Sequence, residues 1–180
     1  MLEKILIELE SKDKEMDGFQ FVLRSMFANP GKGDLRCAAH CIKIKDSRII
    51  GTDGDRCHIY KTEETYKDGY YRVLKRLKTD VILMKVDESD YKVPFPKTYD
   101  ELFEITGDAP IPISADLFDS QYVVSYTKII RGMKSWQTLH PDFVKALDNR
   151  FDVTILDDRV VFVGMDRKAC ITPITTDMEA

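Results

Sequence analysis

The order of apolar and polar residues near the start of the chain is typical of a short helix. Phe19, Val22 and Leu23 recur three or four positions apart, so their side chains share one helical face. Asp17 is suited to cap the start of this helix, and the Asn-Pro-Gly run at 29–31 is expected to end it. The pattern therefore predicts an amphipathic helix that packs on an apolar core.

Strand patterns occupy most of the remaining chain. Ile42 and Ile44 alternate with lysines up to Asp46-Ser47, a pair suited to the turn of a hairpin. A second hairpin is predicted to turn near Lys78. The predicted strands are 5–9, 38–45, 48–61, 69–78, 80–86, 121–131, 152–156, 159–165 and 169–174.

A proline-rich stretch separates two similar sets of elements. Four of the seven prolines lie within 94–113, and proline lacks the N–H that a sheet needs, so we expect a connector there. Beyond it, a second helix is predicted from Pro141 to Arg150. Residues 1–93 and 114–180 then each contain a strand, a helix and three or more strands. This repetition predicts an α+β domain of two β-α-β-β-β halves, with antiparallel sheets and helices on one side.

Charge is distributed unevenly along the chain. The net charge is −4, but residues 1–93 carry 18 basic and 17 acidic side chains, whereas residues 94–180 carry 9 and 14. A uniformly basic nucleic-acid binder is therefore excluded. Any contact with DNA would have to come from a local basic face.

The sequence favours a cytoplasmic protein with no membrane association. No apolar run reaches the ~18 residues of a membrane span, and the N-terminal stretch mixes acidic residues into its apolar positions, unlike a secretory signal. Cys37, Cys41, Cys57 and Cys170 fit a reduced interior better than a disulfide framework in a chain of this length.

Three segments resemble the bacterial DNA sliding clamp, the beta subunit of DNA polymerase III. The run 51–57, Gly-Thr-Asp-Gly-Asp-Arg-Cys, is similar to the clamp's Ala-Thr-Asp-Gly-His-Arg-Leu turn and likewise follows a helix and a strand. The ending 159–174 resembles the last strands of a clamp domain, and 94–103 resembles its proline-led segment. Asp55 and Cys57 depart from the clamp pattern, as does the lack of a Met-Pro-Met-Arg-Leu ending.

The resemblance implies a non-enzymatic scaffold, or processivity factor, that tethers client proteins to DNA. Clamp rings contain six domains with their helices inside, so a one-domain chain would need six copies to close a homo-oligomeric ring. Double-stranded DNA would be bound weakly and without sequence preference, and a polymerase or other client would dock through a short peptide. The implied DNA contacts are Arg24, Lys145 and Arg150. The implied client-peptide pocket contains Thr52, Gly54, Arg56, Pro173 and Ile174.

Two other interpretations remain open from the residues themselves. Asp53, Asp55 and His58 could belong to a small metal-dependent hydrolase. A zinc site could draw on Cys37, His40, Cys41, Cys57 and His58, although strand spacing holds Cys37 and Cys41 too far apart. A clamp-fold adaptor that binds protein but not DNA is a third possibility. No phosphate loop, nucleophile elbow or HExxH motif is present, so we expect no catalysis, cofactor or metal.

The most basic stretch of the chain is 72–78. Regular strand alternation would place Arg72 and Arg76 on one face and Lys75 on the other. We expect a solvated edge strand that its charges protect from pairing with other chains.

Overall fold

The computed structural model describes residues 5–26, 40–91, 95, 99–105, 113–116, 137–140, 142–143, 147 and 150–175. Backbone packing divides the chain into two compact units, Met1–Lys97 and Thr98–Ala180. Their boundary lies inside the predicted connector. The two predicted halves themselves remain a prediction.

The first unit is an antiparallel sheet with one α-helix. Its elements in chain order are β1 (Leu6–Glu10), α1 (Met16–Leu23), β2 (Cys41–Lys45), β3 (Arg48–Thr52), β4 (Arg56–Lys61), β5 (Gly69–Arg76) and β6 (Asp80–Val86), followed by a 3₁₀ turn at Glu88–Asp90. Within the unit the strands lie in the order β1-β6-β5-β2-β3-β4. The helix packs on β3 and β4.

The predicted hairpin turn at Asp46-Ser47 is confirmed. Asp46 and Ser47 both have positive φ, 52° and 57°, which matches the twist of the two strands they join. The predicted single strand 48–61 is divided into β3 and β4 by a turn. Strand β5 lies between β2 and β6 over Gly69–Arg72, so this part is not at an edge. Among the described residues, the basic stretch after Arg72 pairs with β6 alone, as an edge strand would.

Helix α1 begins one residue before the predicted cap. Glu15 occupies the N-cap position without a side-chain capping hydrogen bond, and Asp17 lies in the first turn. The predicted capping role of Asp17 is therefore wrong, although its negative charge still favours the helix N-terminus. Phe19, Phe21 and Val22 are fully buried, so packing stabilises this eight-residue helix where capping does not.

The second unit is also antiparallel where it is described. It contains a 3₁₀ turn at Glu101–Phe103 and the strands β7 (Ile113–Asp116), β8 (Gln137–Thr138), β9 (Arg150–Ile155), β10 (Val160–Val163), β11 (Arg167–Ile171) and β12 (Ile174–Thr175). The order β11-β10-β9-β7 forms one set, and β12 pairs with β8. Val153, Val160, Val161 and Phe162 are fully buried in this unit.

The second predicted helix is only partly described. Asp142 and Phe143 are helical, and the Phe143 N–H donates to the His140 carbonyl. Arg150 is the first residue of β9, so its predicted place on the helix is wrong. The predicted strand 121–131 lies outside the described residues. No helix in the part of the chain that is described is long and apolar enough to cross a membrane.

Candidate functional site

The turn between β3 and β4 is organised by the hydroxyl of Thr52. Its Oγ1 donates to the Arg56 carbonyl at 2.7 Å and accepts from the Gly54 N–H at 3.1 Å. Gly54 has φ +100°, and the space that a Cβ would occupy there has no other atom within 4 Å. Glycine is therefore required by backbone conformation at the exposed tip, and Thr52 is occupied in shaping the turn.

Asp53 braces the same turn from inside. Its Oδ1 accepts from the N–H groups of Asp55 and Arg56, and its Oδ2 accepts from Arg56 Nε at 2.9 Å. Both side chains of the ion pair are about nine-tenths buried, with 9% and 12% exposed. The carboxylate of Asp53 thus fixes the direction of the Arg56 guanidinium.

Helix α1 approaches the sheet closely at two glycines. A Cβ on Gly51 would lie 2.9 Å from Ser25 Oγ and from the Val22 carbonyl oxygen. A Cβ on Gly18 would overlap the ring of Tyr60. We call the side of the first-unit sheet that carries α1 the helix face. Gly51 and Tyr60 lie on that face.

His58 joins β4 to α1 from within the core. Its Nδ1 lies 2.8 Å from the Phe21 carbonyl, and its ring stacks on Phe21 with centroids 4.5 Å apart. Burial, followed by the charges of Arg56 and Arg24, lowers the pKa of His58 to about 3, although the bond to Phe21 raises it. The imidazole is neutral near pH 7, with Nδ1–H donating to the carbonyl.

The metal-hydrolase interpretation fails on geometry. Asp53 is committed to Arg56, Asp55 is exposed at the turn, and His58 is buried in the core. No group of three or more His, Cys, Asp or Glu side chains within the described ranges could hold a metal ion. The structure therefore does not bring Asp53, Asp55 and His58 together as a catalytic cluster.

The described cysteines are buried thiols. Cys41, Cys57 and Cys170 form no disulfide, and Cys41 Sγ donates to Tyr91 Oη at 3.0 Å. Burial raises the pKa of the Cys170 thiol to about 12, which makes it a poor nucleophile and ligand at neutral pH. Cys37 lies outside the described residues. The described residues contain no group of His, Cys, Asp or Glu side chains that could hold zinc.

The predicted DNA contacts are placed on different elements. Arg24 is the C-cap residue of α1, which puts it at the end of the helix face. Arg150 is in β9, in the second unit. Lys145 lies outside the described residues. Of the two described residues, Arg24 lies at the predicted helix and Arg150 does not. Contact with DNA stays a prediction for all three.

The residues of the predicted client-peptide pocket fall into both units. Thr52, Gly54 and Arg56 belong to the braced turn of the first unit. Pro173 is buried two residues after the end of β11, and Ile174 begins β12. Their assignment to a pocket remains a prediction.

A bulge in β5 changes which charges share a face. Val73 pairs with Leu83 and Lys75 pairs with Ile82, which leaves Leu74 without a partner between them. Arg76 then pairs with Val81. Because directly opposed residues lie on the same side of a sheet, Arg76 shares its face with Val81, and Lys75 does not.

The strand pairings show that this face is the one on which α1 packs. Residues paired across the strands share this face: Val81 and Leu83 on β6, Val73 and Tyr71 on β5, Ile42 and Ile44 on β2, and Ile49 and Tyr60 on β3 and β4. Tyr60 contacts Gly18 of α1, so Arg76 lies on the helix face. Sequence alternation placed Arg76 with Arg72, and no sequence signal marks the bulge that separates them.

Comparisons with known proteins find similarity in structure alone. No protein-family model and no curated protein matches the chain. The beta subunit of DNA polymerase III from Borrelia burgdorferi superposes with a TM-score of 0.58 at 8% identity, covering 95% of this chain and 64% of that one. The beta chain from Streptococcus pneumoniae gives 0.56 at 10%, covering 98% and 66%. The Bacillus subtilis sliding clamp gives 0.51 at 11%, covering 98% and 66%.

These similarities define the fold. The chain has a sliding-clamp-like fold with mostly antiparallel sheets and few helices, as the sequence resemblance implied. It spans about two thirds of the length of the clamps that it matches, 64% and 66% in the first two. At 8–11% identity a shared fold does not carry activity with it.

Proposed function

We propose that this chain is a clamp-like, non-enzymatic scaffold of the cytoplasm that tethers client proteins to double-stranded DNA. The observation that carries the proposal is the clamp-like fold: 95% of the chain superposes on a sliding clamp. The same fold supports two repeated halves and a homo-oligomeric ring as parts of the proposal. Client proteins, including a DNA polymerase, would dock through a short peptide.

The DNA-facing side would be the helix face. Clamp-type retention needs weak attraction to phosphates and no reading of bases, and guanidinium groups supply this. Arg24 ends α1 at this face. Lys145 and Arg150 stay in the proposal as contacts contributed by the second unit.

The client side would include the turn of Thr52, Gly54 and Arg56, together with Pro173 and Ile174. Support comes from how firmly the turn is held, since Asp53 and Thr52 fix its backbone by four hydrogen bonds. A preorganised loop loses little entropy when a peptide binds. Because Thr52 uses its hydroxyl internally, the exposed tip at Gly54 and Asp55 would make the peptide contact.

Retention on closed circular DNA tests the proposal. The protein is bound to nicked circular duplex at low salt, the complex is isolated by gel filtration, and the circle is then cut with a restriction enzyme. A topologically linked ring is retained on the circle and lost after cutting. Equal retention on circular and linear DNA would exclude a closed ring.

Light scattering of the same samples gives the number of copies. A mass near six times 20.8 kDa would fit one clamp domain per chain. A mass near three times 20.8 kDa would fit a ring of three chains in which each compact unit takes the place of one domain. A monomer that does not bind DNA would favour the alternative interpretation, a clamp-fold adaptor that binds proteins only.

A further inference from the structure

The side of the first-unit sheet that faces away from α1 is open to solvent at strand β1. Residues of β1 are alternately exposed and buried. Ile7 is buried and pairs with Leu83 on the helix face. Leu6 and Glu8 therefore lie on the opposite side, which we call the open face. Leu6 is 44% exposed there, so the open face presents an apolar side chain to water.

The open face extends from β1 over β6 to β5. Two rows of paired residues cross the three strands, namely Leu6, Met84 and Arg72, and then Glu8, Ile82 and Lys75. Met84 and Ile82 are partly exposed. The open face therefore has an apolar centre on β6, an acidic residue on the β1 side and two basic residues on the β5 side.

The chain itself covers the neighbouring part of the same side. Cys41 pairs with Arg72, and Cys41 Sγ donates to Tyr91 Oη at 3.0 Å. Two residues before Arg72, the ring of Tyr70 lies 6.0 Å from that of Phe95. The open-face side chains of β1 and β6 instead remain partly or largely exposed. This uncovered area is an apolar patch with charged borders, a surface typical of protein–protein contacts.

The charges on the two borders are complementary but do not meet within one chain. Glu8 and Arg72 are exposed, and within the described ranges neither side chain forms an ion pair or a hydrogen bond. Their strands are about 9–10 Å apart, with β6 between them. Lys75 forms an exposed ion pair of 3.3 Å with Asp80, a type of contact that adds little stability.

We propose that the open face binds the open face of a second copy of this chain, around a two-fold axis that runs along β6. Such an axis places β1 of each copy over β5 of the other, so that Glu8 meets the basic side of its partner twice. Met84 and Ile82 then pack against the same residues of the other copy, as in other face-to-face sheet contacts. The pairing requires neither DNA nor a ring, so it is independent of the proposed function.

Two charge reversals test this arrangement. Glu8→Arg makes both borders basic, and Arg72→Glu makes both borders mainly acidic, so each variant repels a copy of itself. A mixed pair of the two variants is again complementary at both borders. Glu63→Arg is the matched control, because it makes the same charge change at an exposed position outside the open face. Far-UV circular dichroism establishes that all three variants fold.

Sedimentation equilibrium over a range of protein concentrations, at low salt and without DNA, measures the association. We expect the unsubstituted protein and Glu63→Arg to double their mass as concentration rises. Each open-face variant alone should raise Kd for this step at least about tenfold, and an equimolar mixture of the two should recover the doubling. If rings form, the mass that doubles is that of the ring.

Three results would overturn the pairing: a mass of the unsubstituted protein that does not change with concentration, open-face variants that associate as it does, or a mixture that associates no better than its components. A ring that is retained on circular DNA but never doubles would overturn the pairing and leave the scaffold intact. Doubling that the mixture recovers, in a protein that binds no DNA, would establish the pairing and overturn the scaffold.

Discussion

At the residue scale, His58 makes the stability of the first unit depend on pH. The ring is buried as the neutral species and its pKa is about 3 in the folded protein, against 6.5 for an exposed histidine. Between these values the unfolded chain binds a proton that the folded chain does not. The stabilisation is therefore complete above pH 6.5 and is lost as pH falls toward 3.

A His58→Phe variant tests this dependence. It keeps an aromatic ring against Phe21 but loses the hydrogen bond and the titrating group, so we expect it to be less stable at pH 8. The free-energy difference from the unsubstituted protein should shrink by about 1.4 kcal/mol for each pH unit below 6.5. Urea unfolding from pH 8 to pH 4 measures it. A difference that stays constant with pH would contradict the prediction.

Gly51 is a second residue whose role depends on close contact. Its Cβ position meets Ser25 Oγ, Val22 Cγ1 and the Val22 carbonyl, each at 2.9 Å. Gly51→Ala should therefore push α1 away from β3 and lower the free energy of unfolding by about 1–3 kcal/mol. Ser25→Ala in the same chain should recover part of the loss, because it removes one of the three clashing atoms. Strict additivity of the two substitutions would show that they do not meet.

At the element scale, the β2–β3 turn can be improved. Asp46 and Ser47 both adopt positive φ, a conformation that an Asn-Gly pair adopts more readily. The double substitution Asp46→Asn with Ser47→Gly should raise the unfolding free energy by about 0.5–1 kcal/mol. Thermal melting measures the change. An Asn-Gly pair placed in another exposed turn with negative φ would bring no gain, which separates turn geometry from composition.

The sequence predicted those elements whose pattern is local. The turn at Asp46-Ser47 and the strand β6 were correct because alternation and turn residues act over a few positions. The Asp17 cap was wrong because packing of Phe19 and Phe21 decides where α1 begins. The pairing of β2 with the first half of β5 was missed because strand order depends on pairings between distant residues, which a local pattern does not encode.

The candidate site was predicted in the same uneven way. The position of Arg24 at the first helix was predicted from the amphipathic pattern. The roles of Arg24 and of the turn around Thr52 stay predictions from the resemblance to a clamp. Arg76 was assigned to the wrong face, since a bulge leaves no mark in the order of apolar and polar residues. The commitment of Asp53 to Arg56 was also missed, because an acidic residue near a histidine suggests a metal site until the geometry is known.

At the scale of the whole molecule, the negative net charge repels the DNA phosphates that the helix face is proposed to bind. The chain carries −4, so DNA binding through the three proposed contacts, Arg24, Lys145 and Arg150, should be steeply sensitive to salt. Three phosphate contacts predict a loss of affinity of about 40-fold between 50 and 200 mM salt, and two contacts roughly tenfold. Anisotropy titrations at these two concentrations distinguish the values. Affinity that is independent of salt would exclude phosphate contacts as its source.

The unpaired Leu74 means that β5 carries one residue more than its neighbours require. Deleting it would leave Val73, Lys75 and Arg76 opposite the same partners on β6, remove a leucine that is 51% exposed, and leave net charge unchanged. Replacing the bulge by regular pairing at full length would instead exchange the faces of Lys75 and Arg76. Loss of a residue is thus the milder change at this position, and related chains that are one residue shorter here would keep the same electric field on the helix face.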